Sequence, residues 1–85
     1  MKKVEIYTTP ICGFCSAAKR LLNSKKIAFD ETNVMINPAK KAEMIKRANG
    51  GRSVPQIFIG GKHIGGCDEL HALERAGKLD KMLAV

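Results

Sequence analysis

The chain has 85 residues with a hydrophobic content of 45%, which is enough for one small core and too little for two. We therefore expect a single domain spanning residues 1–85. Fifteen lysines and arginines give a formal charge of +7, but they are spread along the chain without interleaved aromatic residues. This pattern predicts a solvated basic surface and no nucleic-acid site.

The N-terminus and the cysteine count both favour a cytoplasmic protein. Two N-terminal lysines are typical of a signal peptide, but Glu5, Thr8, Thr9 and Pro10 interrupt the apolar run that should follow. No segment approaches the roughly 20 apolar residues of a membrane span. Three cysteines is an odd number for a disulfide scaffold. Cytoplasmic disulfides are usually transient and catalytic, so we expect a cytoplasmic monomer whose cysteines carry chemistry.

The first half of the chain predicts a strand, a helix and a second strand. Alternating apolar and polar residues predict the first strand over Val4–Thr8. A helix follows from Cys12, and the residues expected on its buried face are Cys15, Ala18 and Leu22. Ile27 and Phe29 alternate in the same way, so we expect the second strand around residues 27–29.

The second half predicts a helix, a β-hairpin and further helix. Asn37-Pro38 is typical of a helix start, and the residues expected on the inner face of that helix are Ala42, Ile45 and Ala48. Gly60-Gly61 can adopt positive φ at both positions, which predicts a hairpin turn between strands at residues 56–59 and 62–64. Asp68 is expected to cap the helix that follows.

The predicted order of elements is β-α-β-α-β-β-α, with one short helix at residues 79–83 to finish. Strands joined through a helix can pair in parallel, whereas a two-residue hairpin joins antiparallel strands. We therefore expect an α/β fold with a mixed four-stranded sheet flanked by helices.

The motif most directly linked to chemistry is Cys12-Gly13-Phe14-Cys15, placed between a strand and a helix. Such a motif is either half of a metal site or a redox pair. A structural zinc site would need further ligands, and the candidates are Cys67 with His63 or His71. These lack the paired local spacing of structural zinc ligands, so the redox interpretation is favoured.

The redox interpretation gives the two cysteines different roles. Unpaired backbone N–H groups and the helix dipole favour the thiolate of Cys12 at the helix start. Cys15 lies one turn deeper on the same face and is suited to attack a mixed disulfide formed on Cys12. Phe14 is expected to be an exposed contact for substrate, the alternative being ordinary core packing.

Two later segments suggest a ligand site. Ser53-Val54-Pro55 precedes an apolar strand. A proline is common at the start of a strand and need not indicate a function there. In Gly65-Gly66-Cys67-Asp68, the glycines permit close approach of a ligand to the backbone. The helix start offers N–H donors to a carboxylate, and Asp68 can pair with an ammonium group. This set suits the α-amino-acid end of a ligand, although a helix capped after a hairpin would look the same.

Taken together, Cys12-Gly13-Phe14-Cys15, Ser53-Val54-Pro55 and Gly65-Gly66-Cys67-Asp68 resemble the three motifs of the glutaredoxin family over nearly the whole chain. The resemblance implies a thioredoxin-like fold, a cis Pro55 and glutathione as the reductant. It implies that the Val54 backbone pairs with the cysteinyl part of glutathione. It also implies that the segment from Gly66 to Asp68 holds the γ-glutamyl end, with Phe14 and Pro55 beside the ligand.

The sequence departs from the family pattern at three places, the mildest of which is Ser53 where the family commonly has Thr. Glutaredoxins commonly carry Lys or Arg three residues before the nucleophile, and here that residue is Thr9. The candidates to supply the missing cation are Lys19, Lys40, Lys41 and Arg52. The Gly-Phe pair between the cysteines resembles the monothiol branch, which binds a 2Fe–2S cluster between two subunits with glutathione as co-ligand.

The resemblance therefore implies a glutathione-dependent thiol–disulfide oxidoreductase acting on disulfide-containing or glutathionylated proteins. Cys12 would be the nucleophile and Cys15 the resolving thiol, and Cys15 favours the dithiol class. The alternative is a 2Fe–2S module in which Cys12 ligates the cluster. A redoxin driven by thioredoxin reductase is a third possibility, which the motif at Asp68 disfavours.

Overall fold

The computed structural model describes residues 1–84, and the elements follow the predicted order. The strands are β1 (Val4–Thr8), β2 (Asp30–Asn33), β3 (Gln56–Ile59) and β4 (Lys62–Gly65). The helices are α1 (Gly13–Ser24), α2 (Pro38–Arg47), α3 (Cys67–Arg75) and α4 (Leu79–Leu83). Within this described part, no helix is both long and apolar enough to cross a membrane.

The sheet is mixed, as predicted, with the strand order β2-β1-β3-β4. β1 and β2 run parallel, and β3 is antiparallel to both β1 and β4. Gly60 and Gly61, with φ of 58° and 82°, form the turn between β3 and β4. Both values lie in the left-handed region that the predicted hairpin turn requires.

The two faces of the sheet carry different helices. Ile57 and Ile59 point to one face and Phe58 to the other, because successive strand residues alternate. Side chains of α1, α3 and α4 cover the isoleucine face, and side chains of α2 cover the Phe58 face. α1 and α3 therefore lie on the same side of the sheet, where they contact each other.

The prediction of a second strand around residues 27–29 is wrong. Ile27 is buried and Phe29 half-buried, but both lie in the loop after α1 and pack against the core from there. The strand itself is the polar segment Asp30–Asn33 at the edge of the sheet. It is defined by its pairing with β1, in which Asp30 lies opposite Glu5, and not by its own hydrophobicity.

The inner face of α2 differs from the prediction at one position. Met44 is fully buried and Ala48 nearly so, with Ile45 packed beside them, whereas Ala42 is exposed. Met44 and Ala48 are four residues apart and share a face. Ala42 lies about 200° around the helix from Met44, so it faces solvent. The start is as predicted, because the Asn37 side chain accepts from the N–H of Lys40 at 3.2 Å.

Candidate active site

The N-terminus of α1 is formed around the Cys12 sulfur. Cys12 is the N-cap residue, with φ −123° and ψ 111°, and its Sγ accepts a hydrogen bond from the backbone N–H of Cys15 at 3.1 Å. Such a bond satisfies a first-turn donor that has no partner within the helix. A thiolate at this position gains that bond and the positive end of the helix dipole. The fold therefore places the Cys12 sulfur at the N-terminus of α1, with a first-turn N–H directed at it.

Cys15 lies one turn further along and is sheltered from solvent. It is 1% exposed, whereas Cys12 is half-buried. Burial raises the pKa of the Cys15 thiol to about 12, and its hydrogen bond with Cys12 acts in the same direction. Cys15 is therefore protonated at neutral pH. The two cysteines differ as predicted, with the accessible sulfur at Cys12.

A cavity of about 240 Å³ lies beside this helix start. Three parts of the chain form its walls: the first turn of α1, the loop before β3 and the start of α3. The lining residues are Phe14, Ser53, Val54, Pro55, Gly66, Cys67, Asp68 and Glu69. They include all six residues for which the sequence predicted a contact with glutathione. Phe14 is 65% exposed, so it is not the core residue of the alternative interpretation.

The loop before β3 connects this cavity to Cys12. The Val54–Pro55 peptide bond is cis, as the family resemblance implied. The Cys12 thiol donates to the carbonyl oxygen of Val54, with 3.7 Å between sulfur and oxygen. The Val54 backbone therefore lies directly beside the sulfur of the candidate nucleophile.

The prediction that Asp68 caps α3 is wrong. The N-cap residue is Gly66, whose backbone N–H donates to Oε1 of Glu69 at 2.6 Å. Glu69 is the third residue of the helix, and a carboxylate there can reach back to the N-cap N–H. Asp68 is exposed in the first turn. The N–H groups of Cys67 and Asp68 have no acceptor within the helix, so this end can receive an anion.

Two of the four candidate cations already have acidic partners. Lys19 Nζ lies 2.9 Å from Glu31, and the hydrogen bonds that Thr8 and Lys19 give to Glu31 lower the pKa of that carboxyl group. Lys40 Nζ lies 3.4 Å from Glu43 in the same helix. Neither lysine lines the cavity beside Cys12.

The other two candidates line a second cavity, of about 530 Å³, which shares Val54 with the first. Lys41 and Arg52 contribute to its walls together with Thr9 and Val54. Among residues 1–84, neither cation forms an ion pair. Lys41 and Arg52 therefore place two positive charges in the same cavity wall as Thr9, the position at which the expected cation is missing.

The described residues do not assemble a metal site within one chain. Among residues 1–84, no group of three or more His, Cys, Asp or Glu side chains is arranged to hold a metal ion, so the ligands that the zinc alternative needs are not brought together there. Cys15 and Cys67 are both buried. Cys12 is the one cysteine of the three that is not buried, so the cluster alternative depends on it.

Cys67 belongs to the wall of the site. It is 8% exposed, and burial, followed by the charge of Asp68, raises the pKa of its thiol. Nδ1 of His71 lies 2.9 Å from the carbonyl oxygen of Cys67 and 3.4 Å from its sulfur. Because a carbonyl can only accept, Nδ1 carries the hydrogen. His71 thus secures the backbone of the first turn of α3.

Sequence reasoning missed two residues of the cavity wall. Ser53 stood in a recognised motif, but a serine before Val-Pro has no distinctive chemistry of its own. Glu69 stands three residues after Gly66, which is the spacing of a capping box. A capping box is normally identified by a Ser or Thr at the N-cap. Because the N-cap here is a glycine, the sequence did not indicate the role of Glu69.

A family model described as glutaredoxin matches residues 4–64. Glutaredoxin 3 of Escherichia coli K12 is 53% identical over 83 residues, which cover 98% of this chain and 99% of the relative. A glutaredoxin of Pseudomonas aeruginosa is 51% identical over 84 residues, with 99% of each chain covered.

Solved structures agree with these matches. A crystal structure of a buckwheat glutaredoxin–glutathione complex superimposes with a TM-score of 0.87 at 34% identity, covering 96% of this chain and 76% of that one. The solution structure of a Brucella melitensis glutaredoxin gives 0.85 at 49% identity, with coverage of 98% and 89%. With its Cys12–Cys15 pair, its thioredoxin-like fold and this likeness, the chain belongs to the glutaredoxin family of thiol–disulfide oxidoreductases.

Proposed function

We propose that the protein uses glutathione to reduce protein disulfides and protein–glutathione mixed disulfides in the cytoplasm. Cys12 is the nucleophile and Cys15 the resolving thiol. The observation that carries the proposal is the single cavity in which the Val54 loop and the start of α3 lie beside Cys12. The buckwheat relative was solved as a complex with glutathione, which supports glutathione as the ligand of this cavity.

Reduction of a glutathionylated protein needs Cys12 alone. The Cys12 thiolate attacks the glutathione sulfur of the mixed disulfide, and a bond forms between Cys12 and glutathione. The bond to the substrate protein breaks, and the released thiolate takes a proton from water. A second glutathione thiolate then attacks the bound glutathione sulfur. Oxidised glutathione leaves, and the Cys12 thiolate is restored.

Reduction of a protein disulfide also needs Cys15. Cys12 attacks one sulfur of the substrate, and the other substrate sulfur leaves as a thiolate. Cys15 then loses its proton and attacks Cys12 Sγ, which releases the reduced substrate and leaves a Cys12–Cys15 disulfide. Because the pKa of Cys15 is about 12, this step needs a proton acceptor, and the departing substrate thiolate is one. Two molecules of glutathione reduce the new disulfide and leave as oxidised glutathione.

The cavity wall matches the chemistry of the γ-glutamyl end of glutathione. A carboxylate can accept from the N–H groups of Cys67 and Asp68 at the positive end of α3. The Asp68 carboxylate can pair with the ammonium group next to it. Gly66 allows the ligand to approach the backbone, since it has no side chain. The polar groups of Val54 are placed to pair with the cysteinyl part, whose sulfur must reach Cys12.

Lys41 and Arg52 are the cations best placed for the glycyl carboxylate of glutathione. Both line the second cavity, whose walls within residues 1–84 include no residue of α3 and share Val54 with the cavity beside Cys12. A tripeptide that lies across Val54 would have its γ-glutamyl end at α3 and its glycyl end at these two side chains. In this chain they replace the cation that the family commonly carries at the position of Thr9.

Trapping the glutathione intermediate tests the proposal. Cys15→Ser removes the resolving thiol, so incubation with oxidised glutathione should leave one glutathione on Cys12, located by peptide mass spectrometry. Wild-type protein should release it and form the Cys12–Cys15 disulfide. An adduct on Cys67, or no adduct, would contradict the assigned roles.

Two further assays test the alternative functions. Turnover with thioredoxin reductase but not with glutathione would favour a redoxin driven by thioredoxin reductase. A coloured dimer after anaerobic reconstitution with iron and sulfide would favour the cluster-binding alternative.

A further inference from the structure

A buried amide lies directly behind the loop that carries Val54. Gln56, the first residue of β3, is 5% exposed. Its Nε2 donates to the carbonyl oxygen of Ser53 at 3.0 Å, and its Oε1 lies 2.7 Å from Nε2 of His63 on β4. The side chain therefore ties the loop before β3 to the neighbouring strand.

These partners determine the orientation of the amide and the tautomer of the histidine. The Ser53 carbonyl can only accept, so the NH₂ group of Gln56 must face it. The amide oxygen then faces His63, whose Nε2 must carry a hydrogen. Both ends of the buried amide are satisfied, which burial requires.

The surroundings hold these side chains in place. The His63 ring packs on the buried ring of Phe58, with 5.1 Å between centroids. Gly51 leaves room for the amide, because a Cβ at that position would lie 3.0 Å from Gln56 Nε2. Gln56 does not itself line the cavity beside Cys12, whereas its hydrogen-bond partner Ser53 does. Any effect of Gln56 on a ligand would therefore act through the loop.

We propose that Gln56 is a positioning residue that holds the Ser53–Val54 segment so that the Val54 backbone meets the incoming substrate. The Val54 carbonyl oxygen lies 3.7 Å from Cys12 Sγ, so a shift of this segment changes the space where the substrate sulfur must sit. The inference rests on the proposed function, in which Val54 pairs with the cysteinyl part of glutathione. Its expected signature is weaker substrate binding with unchanged chemistry at Cys12.

Gln56→Met tests the inference, because methionine is similar in size and removes both hydrogen bonds. In steady-state assays with a glutathionylated peptide at saturating glutathione, we expect KM to rise about fivefold, the effect of losing about one net hydrogen bond. We expect kcat and the rate of Cys12 alkylation to stay within about twofold, since Cys12 itself is unchanged.

Tyr7→Phe is the matched control. Tyr7 lies opposite Gln56 in the β1–β3 register and is also buried. Its hydroxyl accepts from Arg47 at 2.8 Å and donates to Glu43, on the α2 side of the sheet. The variant should lose stability by a similar amount with KM unchanged. Equal KM changes in Tyr7→Phe and Gln56→Met would show that stability alone is responsible and would overturn the inference.

His63→Leu keeps the bond between Gln56 and Ser53 and removes the bond that orients the amide from β4. It should raise KM in the same direction by about twofold, and it decides the matter if Gln56→Met does not fold. Wild-type KM in the folded variants, or a fall in kcat at constant KM, would overturn the inference and leave the proposed function standing. A wild-type protein that does not turn over the glutathionylated peptide would overturn both.

Discussion

Two helices, α1 and α3, begin beside the same cavity, and their first turns are completed in different ways. At α1 the N-cap side chain is the Cys12 sulfur, which accepts from the N–H of Cys15. At α3 the N-cap is Gly66, which has no side chain, and Glu69 reaches back to its N–H. The first arrangement puts a reactive atom at the positive end of a helix. The second leaves the backbone donors of Cys67 and Asp68 for a ligand. In the proposed function, the dipole of α1 supports covalent chemistry at Cys12 and the dipole of α3 supports non-covalent binding of glutathione.

The largest expected effect tests whether reactivity belongs to α1 alone. Cys12→Ser should reduce turnover of both glutathionylated peptides and protein disulfides to the background rate, because Cys15 is buried and protonated and cannot replace the nucleophile. A glutathione-coupled assay with both substrates measures this. Substantial residual activity that disappears only in a Cys12→Ser, Cys67→Ser double variant would assign reactivity to the start of α3 as well.

The second-largest expected effect tests whether the start of α3 binds the glutathione part of the substrate. Asp68→Asn should raise the KM for a glutathionylated peptide about thirtyfold, since a charge-assisted hydrogen bond contributes about 2 kcal/mol. The alkylation rate of Cys12 should not change. Asp80→Asn is the matched control, because Asp80 is an acidic residue in the first turn of α4 and pairs with Lys25 away from the cavity. Equal KM changes in the two variants would remove the distinction between the helices.

Unfolding at alkaline pH tests whether burial in α1 raises the pKa of the Cys15 thiol. The folded-state pKa of about 12 exceeds the ordinary value of 9.0, so the native protein keeps a proton that the unfolded chain loses between these values. Stability is therefore present in full below pH 9 and falls as pH rises towards 12. Under reducing conditions, urea unfolding at pH 10 should show a loss of about 1 kcal/mol relative to pH 9 that Cys15→Ala lacks. Parallel curves for the two proteins would contradict this.

The smallest effect concerns the capping of α3. Glu69→Ala should lower the free energy of unfolding by about 1 kcal/mol, the usual contribution of a helix cap. Glu69→Gln should regain most of that loss, because a neutral amide oxygen can still accept from the N–H of Gly66. Urea denaturation of both variants at pH 7 provides the measurement. If glutamine and alanine destabilise equally, charge and not the hydrogen bond stabilises this helix start.

The sequence was most informative where one residue dictates its own local structure. Gly60-Gly61 predicted the hairpin turn, and Asn37-Pro38 predicted the start of α2, because both depend on backbone preferences within a few residues. The strand at Asp30–Asn33 depends on its neighbour β1 instead, and its polar residues carry no signal of their own. Ala42 was incorrectly predicted to lie on the inner face of α2. The residues that pack against the sheet are Met44 and Ala48, and this packing depends on contacts distant in sequence.

The motifs predicted which residues meet at the site but not how they are supported. Phe14, Val54, Pro55 and Asp68 were named from sequence, and they line one cavity. From the sequence, Gln56 was an ordinary strand residue. Its hydrogen-bond partner His63 is seven positions further along the chain, and only the β3–β4 hairpin brings the two side chains together. Choosing Arg52 and Lys41 over Lys19 required the structure, since it is Glu31 on the edge strand that pairs with Lys19.

The polar character of β2 also matters for how the protein behaves in a concentrated cell. An edge strand exposes a row of unpaired backbone groups that can pair with another sheet and begin aggregation. Here the edge strand carries Asp30 and Glu31, which pair with Lys3 at 3.6 Å and with Lys19 at 2.9 Å. Burying these charged side chains against a second copy of the same strand would be costly, because charged groups would lose their hydration. The polar composition of β2 therefore disfavours edge-to-edge association of the sheet.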